Sequence, residues 1–145
     1  MTDQVLSEES ILLSGTATTR DDAITEAGRL LVASGAVDES YVEAMHEREK
    51  SVSTFMGNGL AIPHGTNEAK PSIKHTAISF IRYADPVDWK GQPAEFVVGI
   101  AGAGDDHLAL LSLIAGIFTD AEQVAALRAA TTREEVTSIL DAVKV

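Results

Sequence analysis

The sequence contains no cysteine. Disulfides, thiolate metal sites and cysteine nucleophiles are therefore excluded within this chain. No apolar run approaches the roughly 18 residues that a membrane-spanning helix needs. The N-terminus, MTDQVLSEES, is acidic and lacks the basic-then-apolar pattern of a secretory signal. A cytoplasmic protein is expected. Basic residues are scarce: 11 Lys and Arg stand against 22 Asp and Glu, a formal net charge of −11. Such a surface repels nucleic acid, whose binding depends on Lys and Arg neutralising phosphates. It fits solubility, and also steering toward a basic protein partner. The serine-hydrolase elbow GxSxG and the zinc-binding pair HExxH are both missing. Internal repeats and low-complexity linkers are missing too. The 145 residues are expected to form one domain, 1–145, with one substantial core.

Strand and helix signals alternate along the chain. Residues 5–17 form a lead-in with the apolar run Ile11-Leu12-Leu13. Thr18-Thr19-Arg20-Asp21-Asp22 opens a helix, with hydroxyl caps and acids that suit its N-terminal dipole. Ile24, Ala27, Leu30 and Leu31 recur at helical spacing, and Gly35 stops the helix. A second helix starts near Asp38-Glu39-Ser40, with Tyr41, Ala44, Met45 and Arg48 on one face. Residues 66–70 read as a short helical turn ended by Pro71. A strand is expected over 76–82, with Ile78 and Phe80 on one face and Ala77 and Ile81 on the other. Val87-Asp88-Trp89 reads as a separate short edge strand after the Asp85-Pro86 turn. Residues 96–101 are apolar on both faces, as in a central covered strand. Helices follow over 108–118, 121–129 and 132–143. The pattern predicts an α/β fold, a mixed sheet covered by helices on both faces.

Three residues stand out chemically. His64 follows a turn signal at Gly57-Asn58-Gly59, a short apolar run 60–62, and Pro63, which biases Ile62 toward extended backbone. Gly65 comes directly after and leaves one face of the imidazole uncrowded. From spacing alone, a histidine held out for chemistry and one merely capping a tight turn are equally good readings. Arg48 lies on the apolar stripe of its helix, so its charge needs a partner. A carboxylate would make it structural; a phosphate would suit its fork of donors. His107 falls in the first turn of a helix for which Asp105 is a candidate N-cap. Backbone N–H groups there favour anions, and the dipole favours a neutral imidazole.

Competing motifs are weaker. Gly102-Ala103-Gly104 sits between a strand and a helix, as a dinucleotide loop would, but His107 stands where the third glycine belongs and Asp105 and Asp106 would repel a pyrophosphate. His64, His75, His107 and Glu68 lack zinc-ligand spacing. His46 and His75 read as surface residues.

The segment GNGLAIPHGTNEAK resembles the active-site segment of the enzyme IIA domains of the bacterial phosphoenolpyruvate-dependent sugar phosphotransferase system, mannitol/fructose class. YVEAMHEREK resembles the helix before that site, and HLALLSLIAGIF the segment carrying a second active-site histidine. The three blocks occur in the family's order and the likeness covers nearly the whole chain. The resemblance implies a mixed sheet with helices on both faces. It implies that His64 receives a phosphoryl group from the carrier HPr and passes it to a IIB protein, and that Arg48 and His107 belong to the site. It implies no cofactor and no metal, since donor and acceptor are both proteins. Glu47-Arg48-Glu49-Lys50 and residues 66–70 look like the mannitol type. IIB and membrane functions would then lie on another chain. The alternative is a regulatory protein of the same fold, resembling the nitrogen-related branch, whose phosphorylation state controls partners.

Overall fold

Residues 96–101, apolar on both faces, lie in the middle strand of a five-stranded sheet. The computed structural model describes residues 5–141 and 143. The strands are β1 (Ile11–Leu12), β2 (Phe55–Gly57), β3 (Leu60–Ala61), β4 (Ala77–Trp89) and β5 (Gln92–Ala101), in the spatial order β1-β4-β5-β3-β2. β4 and β5 pair antiparallel, as do β2 and β3, while β1 runs parallel to β4 and β3 parallel to β5. The helices are α1 (Arg20–Ala33), α2 (Ser40–Ser51), α3 (Asp106–Phe118), α4 (Ala121–Ala129) and α5 (Arg133–Leu140).

Side chains alternate across the strands. Ile78, Phe80, Phe96, Val98 and Ile100 share one core with residues of α3, α4 and α5, among them Leu110, Ile114, Leu127 and Val136. Ala77, Ile81, Val97 and Ala101 share a second core with Ile24, Ala27, Leu31, Tyr41 and Met45 of α1 and α2. The expected mixed α/β sheet, covered on both faces, is therefore the observed one. Three helix starts are capped by their expected side chains. Thr19 accepts from the Asp22 amide, Asp120 from those of Glu122 and Gln123, and Thr132 from that of Glu135. Gly35, at φ 81°, ends α1, with the Ala36 amide bonded back to the Leu31 carbonyl.

Some boundaries differ from the sequence reading. Residues 87–89 are not a separate strand but the far end of β4. The pairing with β5 shifts register between Arg82 and Val87, and Pro86 sits in that irregularity, where a missing N–H breaks no rung. Lys90 and Gly91, both at positive φ, then close a tight hairpin into β5. Pro71 does not end the 3-10 helix after His64, which runs from Asn67 to Ser72. The helix expected over 132–143 ends at Leu140; residue 142 lies outside the described residues. Among the described residues no single helix is long and apolar enough to cross a membrane.

Candidate active site

β3 and β5 are parallel, so their C-terminal ends lie together, and α3 starts just beyond β5. This is the place where ligands commonly bind in α/β sheets. Past Ala61 the chain stays beside β5: the Ile100 amide donates to the Pro63 carbonyl at 3.0 Å, and His64 forms an isolated parallel bridge with Ile100. His64 thus sits on the last rung before the chain leaves the sheet. Its Nδ1 lies 2.8 Å from the Ile62 carbonyl oxygen. A carbonyl only accepts, so Nδ1 carries the hydrogen and Nε2 of the neutral ring keeps a free lone pair.

His107 approaches from the first turn of α3, its ring centroid 4.7 Å from that of His64 and its plane tilted by 54°. Gly102 makes this approach possible: a Cβ there would stand 2.6 Å from the His107 Cα, so only glycine lets the helix start this close to the strand end. Asp105 occupies the N-cap position, but its side chain makes no capping bond. Asp106 instead accepts from the Thr76 hydroxyl at 2.6 Å, and Thr76 Oγ1 accepts from the Ala103 amide at 3.0 Å.

Arg48 does not enter the core. The buried positions of α2 step by four, Tyr41, Met45 and then Glu49, which is 2% exposed. Glu49 holds Trp89 Nε1 at 3.0 Å, and the Thr54 amide and hydroxyl at 3.0 and 2.5 Å. Arg48 lies half-buried on the flank beside it, its guanidinium donating to the Val52 carbonyl at 2.8 Å. Among the described residues it forms no ion pair with a carboxylate.

His64, His107 and Arg48 line one cleft of about 380 Å³, together with Tyr41, Gly65 and Lys70. The sequence reading brought the first three to this place. It passed over Lys70, whose Nζ donates to the Gly104 carbonyl at 3.2 Å at the cleft mouth. It also passed over Tyr41, whose apolar spacing marked it as core. Gly65 also makes room for Tyr41: a Cβ there would meet the Tyr41 ring at 2.6 Å, so the tyrosine requires glycine at this position. His75 is exposed as expected, whereas His46 is half-buried and bonds the Thr25 hydroxyl at 2.8 Å.

Both site histidines are biased toward the neutral form. Burial holds His64 below the ordinary histidine value; the Ile62 carbonyl opposes this, Arg48 adds to it, and Glu49 opposes it. Burial lowers His107 as well, followed by the charges of His64, Lys70 and Arg48. The cleft therefore joins a neutral nucleophilic nitrogen to cationic and N–H donors, a combination suited to a transferring anionic group.

Residues 4–143 match the family described as "Phosphoenolpyruvate-dependent sugar phosphotransferase system, EIIA 2". The chain belongs to that family. A mannitol-specific phosphotransferase enzyme IIA component of Staphylococcus aureus (strain Mu50) is 44% identical over 138 residues, covering 95% of this chain and 96% of the relative. The IIA protein in a complex of mannitol enzyme IIA with phosphorylated enzyme IIB from Escherichia coli superposes with a TM-score of 0.86 at 33% identity, over 93% of this chain and 96% of that one. The nitrogen regulatory protein IIA-Ntr of Neisseria meningitidis superposes with a TM-score of 0.82 at 30% identity, over 94% and 96%. This EIIA chain is accordingly a phosphotransferase-system component working through a phosphohistidine.

Proposed function

We propose that this EIIA chain carries a phosphoryl group on Nε2 of His64 between HPr and a mannitol-type IIB protein. The observation that carries the assignment is the 2.8 Å bond from Nδ1 of His64 to the Ile62 carbonyl, in a cleft shared with Arg48 and His107. In the first step the Nε2 lone pair attacks the phosphorus of phospho-HPr. A new N–P bond forms, and the old one breaks with its electrons returning to the HPr imidazole. In the second step the IIB nucleophile, a cysteine thiolate by resemblance, attacks the same phosphorus and the His64 imidazole leaves as the neutral ring. Arg48 and an N–H of His107 stabilise the oxygens in both steps. Neither step needs a metal or a nucleotide. The work belongs in the cytoplasm, where phosphoenolpyruvate and the carriers are made.

The mannitol assignment rests on likeness, since the chain itself does not bind the sugar. Mannitol-specific relatives match at 44 and 45% identity over nearly the whole chain, which favours transport over regulation. The test is phosphorylation of the purified protein by phosphoenolpyruvate, enzyme I and HPr, followed by mixing with mannitol IIB. One acid-labile phosphoryl group per chain is expected, absent in folded His64→Ala and chased onto IIB. Normal labelling of His64→Ala overturns the site. Labelling without transfer to IIB moves the protein to the regulatory branch.

A further inference from the structure

The rung after His64 is not an ordinary one. In a parallel ladder the Ile100 amide bonds the residue before the bridge partner, and the Ile100 carbonyl bonds the amide of the residue after it. The first half is present, from the Ile100 amide to the Pro63 carbonyl at 3.0 Å. In the second half a side chain stands between the two strands. The Tyr41 hydroxyl donates to the Ile100 carbonyl at 2.8 Å and accepts from the Gly65 amide at 2.9 Å. Pro63 and Gly65, the two neighbours of His64, are thus both tied to Ile100, one directly and one through a hydroxyl. The hydroxyl is wedged into the rung between the Gly65 amide and the Ile100 carbonyl, while the His64–Ile100 bridge persists.

We infer that Tyr41 is a positioning residue for the phosphoryl carrier: its hydroxyl wedges into the His64–Ile100 rung, bonded to the Ile100 carbonyl and the Gly65 amide, and fixes the peptide, and through it the ring, of His64. Three observations support this. Tyr41 is 3% exposed, so its geometry is set by packing rather than by solvent. The space for its ring exists because residue 65 lacks a Cβ, which would stand 2.6 Å from Tyr41 Cε1. Burial also raises the phenol above its ordinary value, against the Gly65 amide, so the group stays a hydroxyl able to donate and accept together. Tyr41 lines the cleft, but its hydroxyl is committed to Ile100 and Gly65, so it acts on the reaction through the backbone, whereas Arg48 and His107 face the phosphoryl group.

The inference rests on His64 being the carrier, and its test separates the two ideas. Tyr41→Phe keeps the ring against Gly65 and removes only the wedge. In unphosphorylated protein, nitrogen NMR of the His64 ring is expected to move from the single Nδ1–H tautomer toward an exchanging mixture. Phosphoryl transfer to IIB is expected to slow about tenfold, the effect of one misaligned hydrogen-bonded group, with the KM for IIB unchanged. Gly65→Ala leaves the hydroxyl but displaces the ring, and is expected to reproduce both effects; it carries the measurement should Tyr41→Phe not fold. Wild-type ring signals and rates in the folded variants, with or without a lower melting temperature, would overturn the wedge. The ring signals are read before any phosphorylation, so they test the wedge independently. Loss of labelling on His64 in the wild type would overturn the carrier assignment alone.

Discussion

Histidine chemistry at this site depends on which nitrogen holds the proton and on whether the ring is charged. Both points lead to measurable consequences. The folded-state values of His64 and His107 lie below 6.5, mainly through burial. Below about pH 6.5 the unfolded chain therefore binds more protons at these residues than the folded one. Their contribution to stability is complete above that value and is lost as the pH falls through it toward the folded values. Proton NMR of the C2 hydrogens should give midpoints for both rings below 6.5, and transfer should persist at pH 6 instead of falling with an ordinary imidazole. Replacing His64 with Ala should lessen the loss of stability on acidification between pH 6.5 and 5. Arg48 makes one hydrogen bond to a backbone carbonyl and no carboxylate bridge among the described residues, so its guanidinium is available to a phosphoryl oxygen. Charged hydrogen bonds of this kind contribute about 1.5–3 kcal/mol. Arg48→Ala should slow transfer roughly 10- to 150-fold at about 1.4 kcal/mol per decade, with Arg48→Lys restoring only part of it. An early-melting variant with a normal rate would make Arg48 structural. Folded His107→Ala should still be labelled on His64 but should deliver to IIB more slowly, as single-turnover mixing would show.

At the level of elements, α2 does two jobs on adjacent flanks. Its stripe of Tyr41, Met45 and Glu49 is buried beside α1, with Tyr41 and Glu49 reaching sheet residues Ile100 and Trp89, and Arg48 reaches the cleft from the side. The sequence placed Arg48 on that stripe because three-residue and four-residue steps fall close together around a helix. Which of the two adjacent residues is buried depends on where Trp89 and Thr54 arrive, and both come from other elements. That information is not in the periodicity of α2. The strand misreading has a similar origin: Asp85-Pro86 looks like a terminator locally, and only pairing with β5 shows that a bulge accommodates it. Helices with capping side chains, and the doubly apolar β5, were legible because their signals are local. The role of Glu49 leads to a prediction at this scale. Glu49→Gln leaves one oxygen for the Thr54 amide and Trp89 Nε1 and turns its N–H₂ toward the Thr54 hydroxyl, so buried charge-assisted bonds become neutral ones. It should destabilise the fold by about 1–3 kcal/mol in urea unfolding, with His64 still labelled by HPr. Unchanged stability would mean that neutral bonds hold Thr54 and Trp89 equally well.

Over the whole molecule, two cores fix the sheet from opposite sides, and the cleft lies where their elements converge. α2 supplies Arg48 and Tyr41 from one layer, α3 supplies His107 from the other, and the sheet supplies His64 between them. This convergence could not be read from spacing, which left His64 balanced between a carrier and a turn residue. Motif resemblance singled out the three residues, and the fold brings them into one cleft. The central claim is that Nε2 of His64 carries the phosphoryl group, because Nδ1 is committed to the Ile62 carbonyl. The most direct test labels the protein with ring-¹⁵N histidine, phosphorylates it through enzyme I and HPr, and reads the ³¹P–¹⁵N coupling. Coupling to Nε2 of His64 alone is predicted, with Nδ1 still protonated. Coupling to Nδ1, or to a ring nitrogen of His107, would contradict the account.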